Sequence, residues 1–290
     1  MNNNKLSITR RKLLTTAGSY LAATPFLGLA GCGGDSSSTA AAVSGSVSGS
    51  GSTTVTASGS WASGGTSLIT VDFPDDDLFD GSSTCSLSLT PSTTEGPCYL
   101  GVNNRIDISE GETGLPMQLC MQLVDEDCNP LAGYLIEVWH CDTAGIYSGN
   151  TSDTDVDDTS TWAGSFCTNN DSAALQSTWF RGELTTDSSG RVNFKSCFPG
   201  WYSGRTIHIH FRVRNGGGDY VVSQFCFSDS FAEEICTTHE LYSKHGEQST
   251  TLASGDDTVF PSSGYEEYML NIEQNSDGTL LAYKRVMISA

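Results

Sequence analysis

The sequence predicts an all-β fold, a β-sandwich with long loops in residues 81–290, preceded by an export signal (1–32) and a disordered Ser/Gly/Thr linker (33–80). Three observations carry that expectation. From about residue 85 onward, short alternating apolar runs are separated by Gly, Asn, Asp and Pro turns, which is the spacing of strands rather than helices. The apolar residues, 37 % of the chain, concentrate there, so they suffice for the core of one domain. The stretch before it is almost entirely Gly, Ser, Thr and Ala and cannot bury enough surface to offset the entropy of ordering. Across 290 residues, 34 acidic side chains face 14 basic ones, a net charge of −20. A phosphate backbone is repelled by such a surface, so nucleic acid is not an expected partner.

At the N-terminus, Thr9-Arg10-Arg11-Lys12-Leu13-Leu14 and an apolar run to Ala30 have the layout of a twin-arginine export signal. Thr15, Thr16, Ser19, Thr24 and Pro25 interrupt the run, whereas a membrane span needs about 20 mostly apolar residues. The run ends in Leu29-Ala30-Gly31-Cys32, which is similar to a bacterial lipobox. Acylation of Cys32 would attach the mature chain to a membrane at roughly 0.8 kcal/mol per buried methylene, with the linker as its tether; cleavage and release is the alternative. The expected location is the cell envelope, periplasmic or as an outer-membrane lipoprotein. Ten cysteines suit oxidation after export. Setting Cys32 aside leaves nine (10 − 1), an odd number that implies one free or intermolecular thiol. With no Cys-x-x-Cys pair, a structural zinc knuckle is not expected.

Within the domain, Met117 to Val124 and Tyr134 to His140 read as strands joined by the turn Asp125 to Pro130. Gly182 to Thr186 and Arg191 to Lys195 flank Asp187-Ser188-Ser189-Gly190 and read as a hairpin. Thr206 to Arg214 and Tyr220 to Phe227 read as a second hairpin around Asn215-Gly216-Gly217-Gly218, with a closing strand at Leu280 to Ile288. Only Phe231 to His245 has the pattern of a short helix.

The chemistry concentrates in Trp201-Tyr202-Ser203-Gly204-Arg205-Thr206-Ile207-His208-Ile209-His210-Phe211. In an extended strand Ile207, Ile209, Phe211 and Val213 point one way and His208 and His210 the other, so two imidazoles can converge on one metal ion. A solvent-facing pair on an edge strand would show the same spacing. Zinc would want a further His, Cys or carboxylate, but His239 and His245 stand six residues apart, off a common helix face. A ferrous site with two histidines and a carboxylate would want an acid such as Asp219. Tyrosine tips the balance, because a phenolate is a hard anionic donor suited to ferric iron, whose charge can ionise a phenol of ordinary pKa about 10.

The segments Thr94-Glu95-Gly96-Pro97, Gly133 to Tyr147, Arg181 to Phe194, Pro199-Gly200-Trp201-Tyr202 and Arg205-Thr206-Ile207-His208-Ile209-His210 together resemble the intradiol ring-cleavage dioxygenases, the group of protocatechuate 3,4-dioxygenase and catechol 1,2-dioxygenase. The resemblance implies a non-haem ferric ion, Fe(3+), held by Tyr147, Tyr202, His208 and His210. It also implies Tyr202 as the displaceable phenolate, Arg205 as a cation that stabilises charge on the substrate ring, and Gln224 as the partner of Arg205. By strict alternation Arg205 faces away from the histidines, unless the strand begins just after it. The implied reaction is cleavage of a catechol-type ring by dioxygen to a cis,cis-muconate-type product. A non-catalytic sandwich that binds a surface or carbohydrate and a zinc-dependent hydrolase are the alternatives.

Overall fold

The structure, a computed structural model, describes residues 59–79, 87–150 and 161–290, the side chains of 161–164 excepted. The export signal, Cys32, the linker as far as residue 58, and Cys85 lie outside the described residues. Eight strands among the described residues form two sheets: β1 (Pro116–Val124), β2 (Leu135–Trp139), β3 (Arg181–Thr185), β4 (Arg191–Cys197), β5 (His208–Asn215), β6 (Gly218–Cys226), β7 (Asn271–Gln274) and β8 (Leu280–Met287). One sheet has the order β3-β2-β5-β6 and is antiparallel throughout; the other is β4-β1-β8-β7, with β1 and β8 parallel. Alternation decides which side chains face inward. Met117, Leu119, Met121 and Leu123 of β1 meet Ile136 and Val138 of β2 and Ile209, Phe211 and Val213 of β5 in one buried core. Phe211 and Phe225 stack at 4.1 Å between neighbouring strands, worth about 1 kcal/mol beyond the area they bury.

Several expectations are corrected. The Asp187 to Gly190 turn forms, with Asp187 Oδ1 accepting from the amides of Ser189 and Arg191, but it arches from one sheet to the other instead of closing a hairpin. Both flanking strands have a better partner: β3 pairs with β2, and β4 pairs with β1 from Pro116↔Cys197 to Gln122↔Arg191. A helix unforeseen in the sequence, α1 (Thr161–Thr168), is too short to persist alone; the Cys98–Cys167 disulfide ties it down. The expected helix lies at α2 (Asp229–Thr238), where Ser228 Oγ accepts from the Phe231 amide as an N-cap.

Residues 59–79, expected as part of the linker, instead pack against the domain. Residues 59–79 lie along the outer face of β1, where Gln118 Nε2 donates to the carbonyls of Val71 and Asp72 and where Phe79 packs with Cys120 and Leu281. All nine residues of β1 are therefore buried, the outward ones included. Composition hid this because Trp61, Ile69, Val71, Phe73 and Phe79 are spaced among polar residues.

Cysteine pairing departs from expectation as well. Cys120, Cys141, Cys197, Cys226 and Cys236 are free and buried, and burial raises the Cys120 thiol to about 12. These behave as small apolar side chains rather than as disulfide partners. Cys128 is disulfide-bonded too.

Candidate metal centre

The site lies on the outer face of the β3-β2-β5-β6 sheet, where even-numbered residues of β5 point. His208 and His210 are both 2 % exposed. Trp139, the cross-strand partner of His210, stacks on its ring at 5.0 Å and 12°. At the Cε1 edge of the imidazole, Gly96 holds a left-handed φ of 78°, and a Cβ there would come within 3.1 Å of His210 Cε1. The Thr94 to Pro97 segment is thus a wall against the second histidine.

Two loops bring the tyrosines. Asp142 Oδ1 accepts from the amides of Ala144 and Ile146, curling the chain after β2 so that Tyr147 points back over the sheet. Gly145, at φ 81°, permits this loop to lie against the backbone of Trp201, where any Cβ would strike the Trp201 carbonyl. Tyr202 and Arg205 are the first and last residues of a turn closed by the Arg205 amide on the Tyr202 carbonyl at 3.2 Å, with Gly204 at φ 85°. That turn sets the six-residue gap from Tyr202 to His208 and puts Arg205 before β5 begins. Arg205 is thereby freed from strand alternation and reaches the histidines.

Four donor atoms converge. Tyr147 Oη lies 3.1 Å from His210 Nε2 and 3.3 Å from His208 Nε2; Tyr202 Oη lies 3.2 Å from His208 Nε2; the two Nε2 atoms are 3.2 Å apart. Arg205 NH1 approaches His208 Nε2 at 3.4 Å, while its NH2 donates to Gln224 Oε1 at 2.6 Å. Gln224 Nε2 in turn donates to the Thr94 carbonyl. His208 Nδ1–H donates to the Thr206 carbonyl at 2.7 Å, which leaves the Nε2 lone pair facing the cluster. One lone pair cannot serve the four polar atoms that surround it, whereas a single cation between the donors can. Metal bonds of about 2.0–2.1 Å to N and O separate neighbouring ligand atoms by about 2.9–3.4 Å at angles of 90–109°. The observed spacings fall in that range, so these residues fit a metal ion.

Electrostatics favour a highly charged one. Burial pushes the Tyr147 phenol well above its usual pKa, with neighbouring Tyr202 adding to the effect, and burial likewise raises Tyr202. Burial, then the charge of Arg205, holds His208 well below the usual imidazole range; burial, then His208, does so for His210. Two neutral imidazoles are ready to ligate, but two phenols in this setting ionise only against a strong cation. Among the described residues no three His, Cys, Asp or Glu side chains gather as a zinc site requires. Asp219, the carboxylate considered above, faces Arg212 and Arg214 at 3.8 and 3.6 Å instead. His239 Nε2 bonds the Ala62 carbonyl, and His245 Nε2 bonds the Trp201 carbonyl, steadying the Tyr202 loop.

Beside the tyrosines opens a cavity of about 130 Å³ lined by Cys98, Gly145, Tyr147, Phe166, Cys167, Tyr202 and Ser203. None of these side chains is charged. The disulfide forms part of the wall, and half-exposed Phe166 stands at 6.4 Å from the Tyr202 ring.

A family model described as dioxygenase matches residues 99–238. The fold is similar to that of an intradiol ring-cleavage dioxygenase from Tetranychus urticae, with a TM-score of 0.57 and 27 % identity over 70 % of this chain and 95 % of that one. The chain is thus similar to the intradiol ring-cleavage dioxygenases. Among curated relatives, catechol 1,2-dioxygenase 1 of Acinetobacter lwoffii is 25 % identical over 162 residues, 47 % of this chain and 45 % of that protein. Chlorocatechol 1,2-dioxygenase of Pseudomonas putida is 27 % identical over 115 residues, 33 % of this chain and 36 % of that protein. The chain thus spans less than half the length of either. The segment matched by the family model contains Tyr147, Tyr202, Arg205, His208, His210 and Gln224, and ends before Asp257. Asp257 went unnoticed in the sequence, where it is one of 34 acidic residues in a Ser/Gly/Asp loop with no motif around it. In the fold its side chain is 2 % exposed and paired with Arg205 at 3.2 Å.

Proposed function

We propose that the chain holds a ferric ion through Tyr147, Tyr202, His208 and His210 and cleaves a catechol-type ring with dioxygen, between the two hydroxyl-bearing carbons, to a cis,cis-muconate-type product. The observation that carries this reading is the convergence of two phenol oxygens and two imidazole nitrogens at 3.1–3.3 Å. When bound, ferric iron supplies Lewis acidity that lowers the pKa of both catechol hydroxyls and makes the ring electron-rich enough to meet dioxygen. The residues divide the remaining work. Tyr147, fully buried, stays as a fixed anionic donor, whereas half-buried Tyr202 borders the cavity and can turn away, its oxygen taking a proton from the incoming catechol. Thr206, through its carbonyl, keeps His208 in the tautomer whose Nε2 is free. Arg205, with Gln224 fixing one nitrogen, presents a cation where negative charge develops on the ring. Both oxygen atoms enter the product, so no nicotinamide, flavin or external reductant is required. Similarity to relatives named for catechol and chlorocatechol cleavage supports this substrate class. Export to the cell envelope, with Cys32 as a lipid anchor, is part of the same proposal, supported by a disulfide beside the site, which suits a non-reducing compartment.

The purified, iron-supplied protein is expected to be coloured by phenolate-to-iron absorption and to consume oxygen with catechol. Tyr147→Phe should shift that band and lower kcat at least about 100-fold, the scale of losing one preorganised group at the reacting centre. Elemental analysis and an oxygen electrode check both. A colourless protein that binds zinc would favour a hydrolase, and one that binds no metal a non-catalytic module; either result overturns the proposal.

A further inference from the structure

We infer that Asp257, outside the segment the dioxygenase family shares, is the positioning residue that aims Arg205 at the reacting ring. The inference rests on the function proposed above. Arg205 is held from three directions: Nε lies 3.2 Å from each carboxylate oxygen of Asp257, NH2 donates to Gln224, and the guanidinium carbon sits 5.5 Å from the Phe260 ring centroid. NH1 is left facing His208 Nε2 at 3.4 Å. Asp257 cannot turn aside. Its Oδ1 accepts from the amides of Val259 and Phe260 at 2.8 Å, and its Oδ2 accepts from the Thr206 amide at 2.7 Å.

These bonds do more than tie down a loop. A guanidinium beside a bound ferric ion would be repelled by whatever positive charge the two phenolates leave on the centre, and Gln224, being neutral, could orient Arg205 but not oppose that force. Asp257 is the anion behind the guanidinium, and its amide from Thr206 fixes it to the residue whose carbonyl also sets the His208 tautomer. One buried carboxylate therefore registers Arg205 against the histidine strand.

The test compares Asp257→Asn, Asp257→Glu and, as a structural control, Asp277→Asn. Asp277 also accepts backbone amides, those of Thr70, Val71 and Thr279, but lies in the turn before β8 and does not touch Arg205. In the full-length, iron-loaded protein, Asp257→Asn is expected to keep its iron and visible band and hold KM for catechol within about threefold, while kcat falls about 100-fold. Asp257→Glu should recover part of that loss and Asp277→Asn should show none. In metal-free protein, the Arg205 Nε–H signal in ¹⁵N NMR, assigned with Arg205→Lys, should be protected in wild type and lost in Asp257→Asn. If Asp257→Asn does not fold, Asp257→Glu carries the test, with an expected loss of about tenfold. A kcat equal to wild type in the folded variant, or an unchanged Arg205 signal, overturns the inference. A wild type inert toward every catechol would sink the proposed function instead, and the NMR comparison would still decide whether Asp257 holds Arg205.

Discussion

His140 sits at the end of β2, one strand from the candidate centre, and both its ring nitrogens bond groups outside that centre, whereas the Nε2 atoms of His208 and His210 face each other within it. Nδ1–H donates to the Cys141 carbonyl at 2.7 Å and Nε2 accepts from Ser196 Oγ at 2.7 Å, whereas His210 Nδ1 has no partner among the described residues. Spacing cannot distinguish these roles; hydrogen-bond accounting does, and it makes His140 structural. Burial pushes its pKa down to about 4. The unfolded chain then binds a proton near pH 6.5 that the folded chain refuses until about pH 4, so stability is full above pH 6.5 and falls as pH drops through that window. The shift corresponds to about 3 kcal/mol. His140→Gln is expected to lower stability at pH 7 and flatten the decline between pH 6.5 and 4, measured as the urea midpoint against pH. An unchanged slope would assign the decline to other groups. Asp277, whose carboxyl is held down to about 2 by Thr279 and the Thr70 amide despite partial burial, acts with the same sign in the lower window from pH 4 to 2.

At the scale of elements, the Cys98–Cys167 disulfide joins the two segments that flank the donors. The segment ending at Cys98 carries the Thr94 carbonyl that holds Gln224 and the Gly96 that abuts His210. The α1 segment carries the Cys167 carbonyl, which accepts from the Tyr147 amide at 2.8 Å. Closing a loop of sequence separation 69 is worth about 4 kcal/mol in the chain-entropy view. Because the bond also lines the cavity, its loss has a local consequence distinct from lower stability. In a Cys98→Ser/Cys167→Ser variant assayed well below its Tm, KM for catechol is expected to rise about tenfold while kcat falls less, since α1 and Phe166 no longer define the wall. Parallel changes in KM and Tm alone, with no change in KM once both proteins are fully folded, would make the bond a global staple only. The sequence marked Cys98 and Cys167 as oxidisable, but pairing is a statement about distance across the fold, which no spacing along the chain contains.

For the molecule as a whole, what could be read beforehand was periodic or local. Ile207, Ile209, Phe211 and Val213 announce one face of β5, and the histidines between them announce the other; both readings need only a period of two. The convergence of Tyr147 and Tyr202 was legible only through the resemblance, since the loops that deliver them depend on Gly145 meeting Trp201. The assignment of β3 and β4 to separate sheets was not legible, because their turn chemistry is the same for a hairpin and an arch. Nor was the role of residues 59–79, whose sparse apolar side chains acquire meaning only against the outer face of β1. That last point makes a prediction for the whole domain. Ile69 and Phe79 are 7 % and 6 % exposed, and burying two such side chains contributes about 4 kcal/mol. Without them the outward residues Gln118 and Cys120, together with Leu281, are uncovered, and the carbonyls of Val71 and Asp72 no longer engage the Gln118 amide. A chain beginning at residue 80 should therefore melt about 10 °C below one beginning at residue 59, and should associate through the bared sheet, seen by calorimetry and light scattering. The centre lies on the opposite sheet, on its outer face, so the shorter chain is expected to retain its visible band and kcat below its melting point. Equal melting temperatures for the two chains would return residues 59–79 to the linker, and loss of the band would tie the segment to the centre itself.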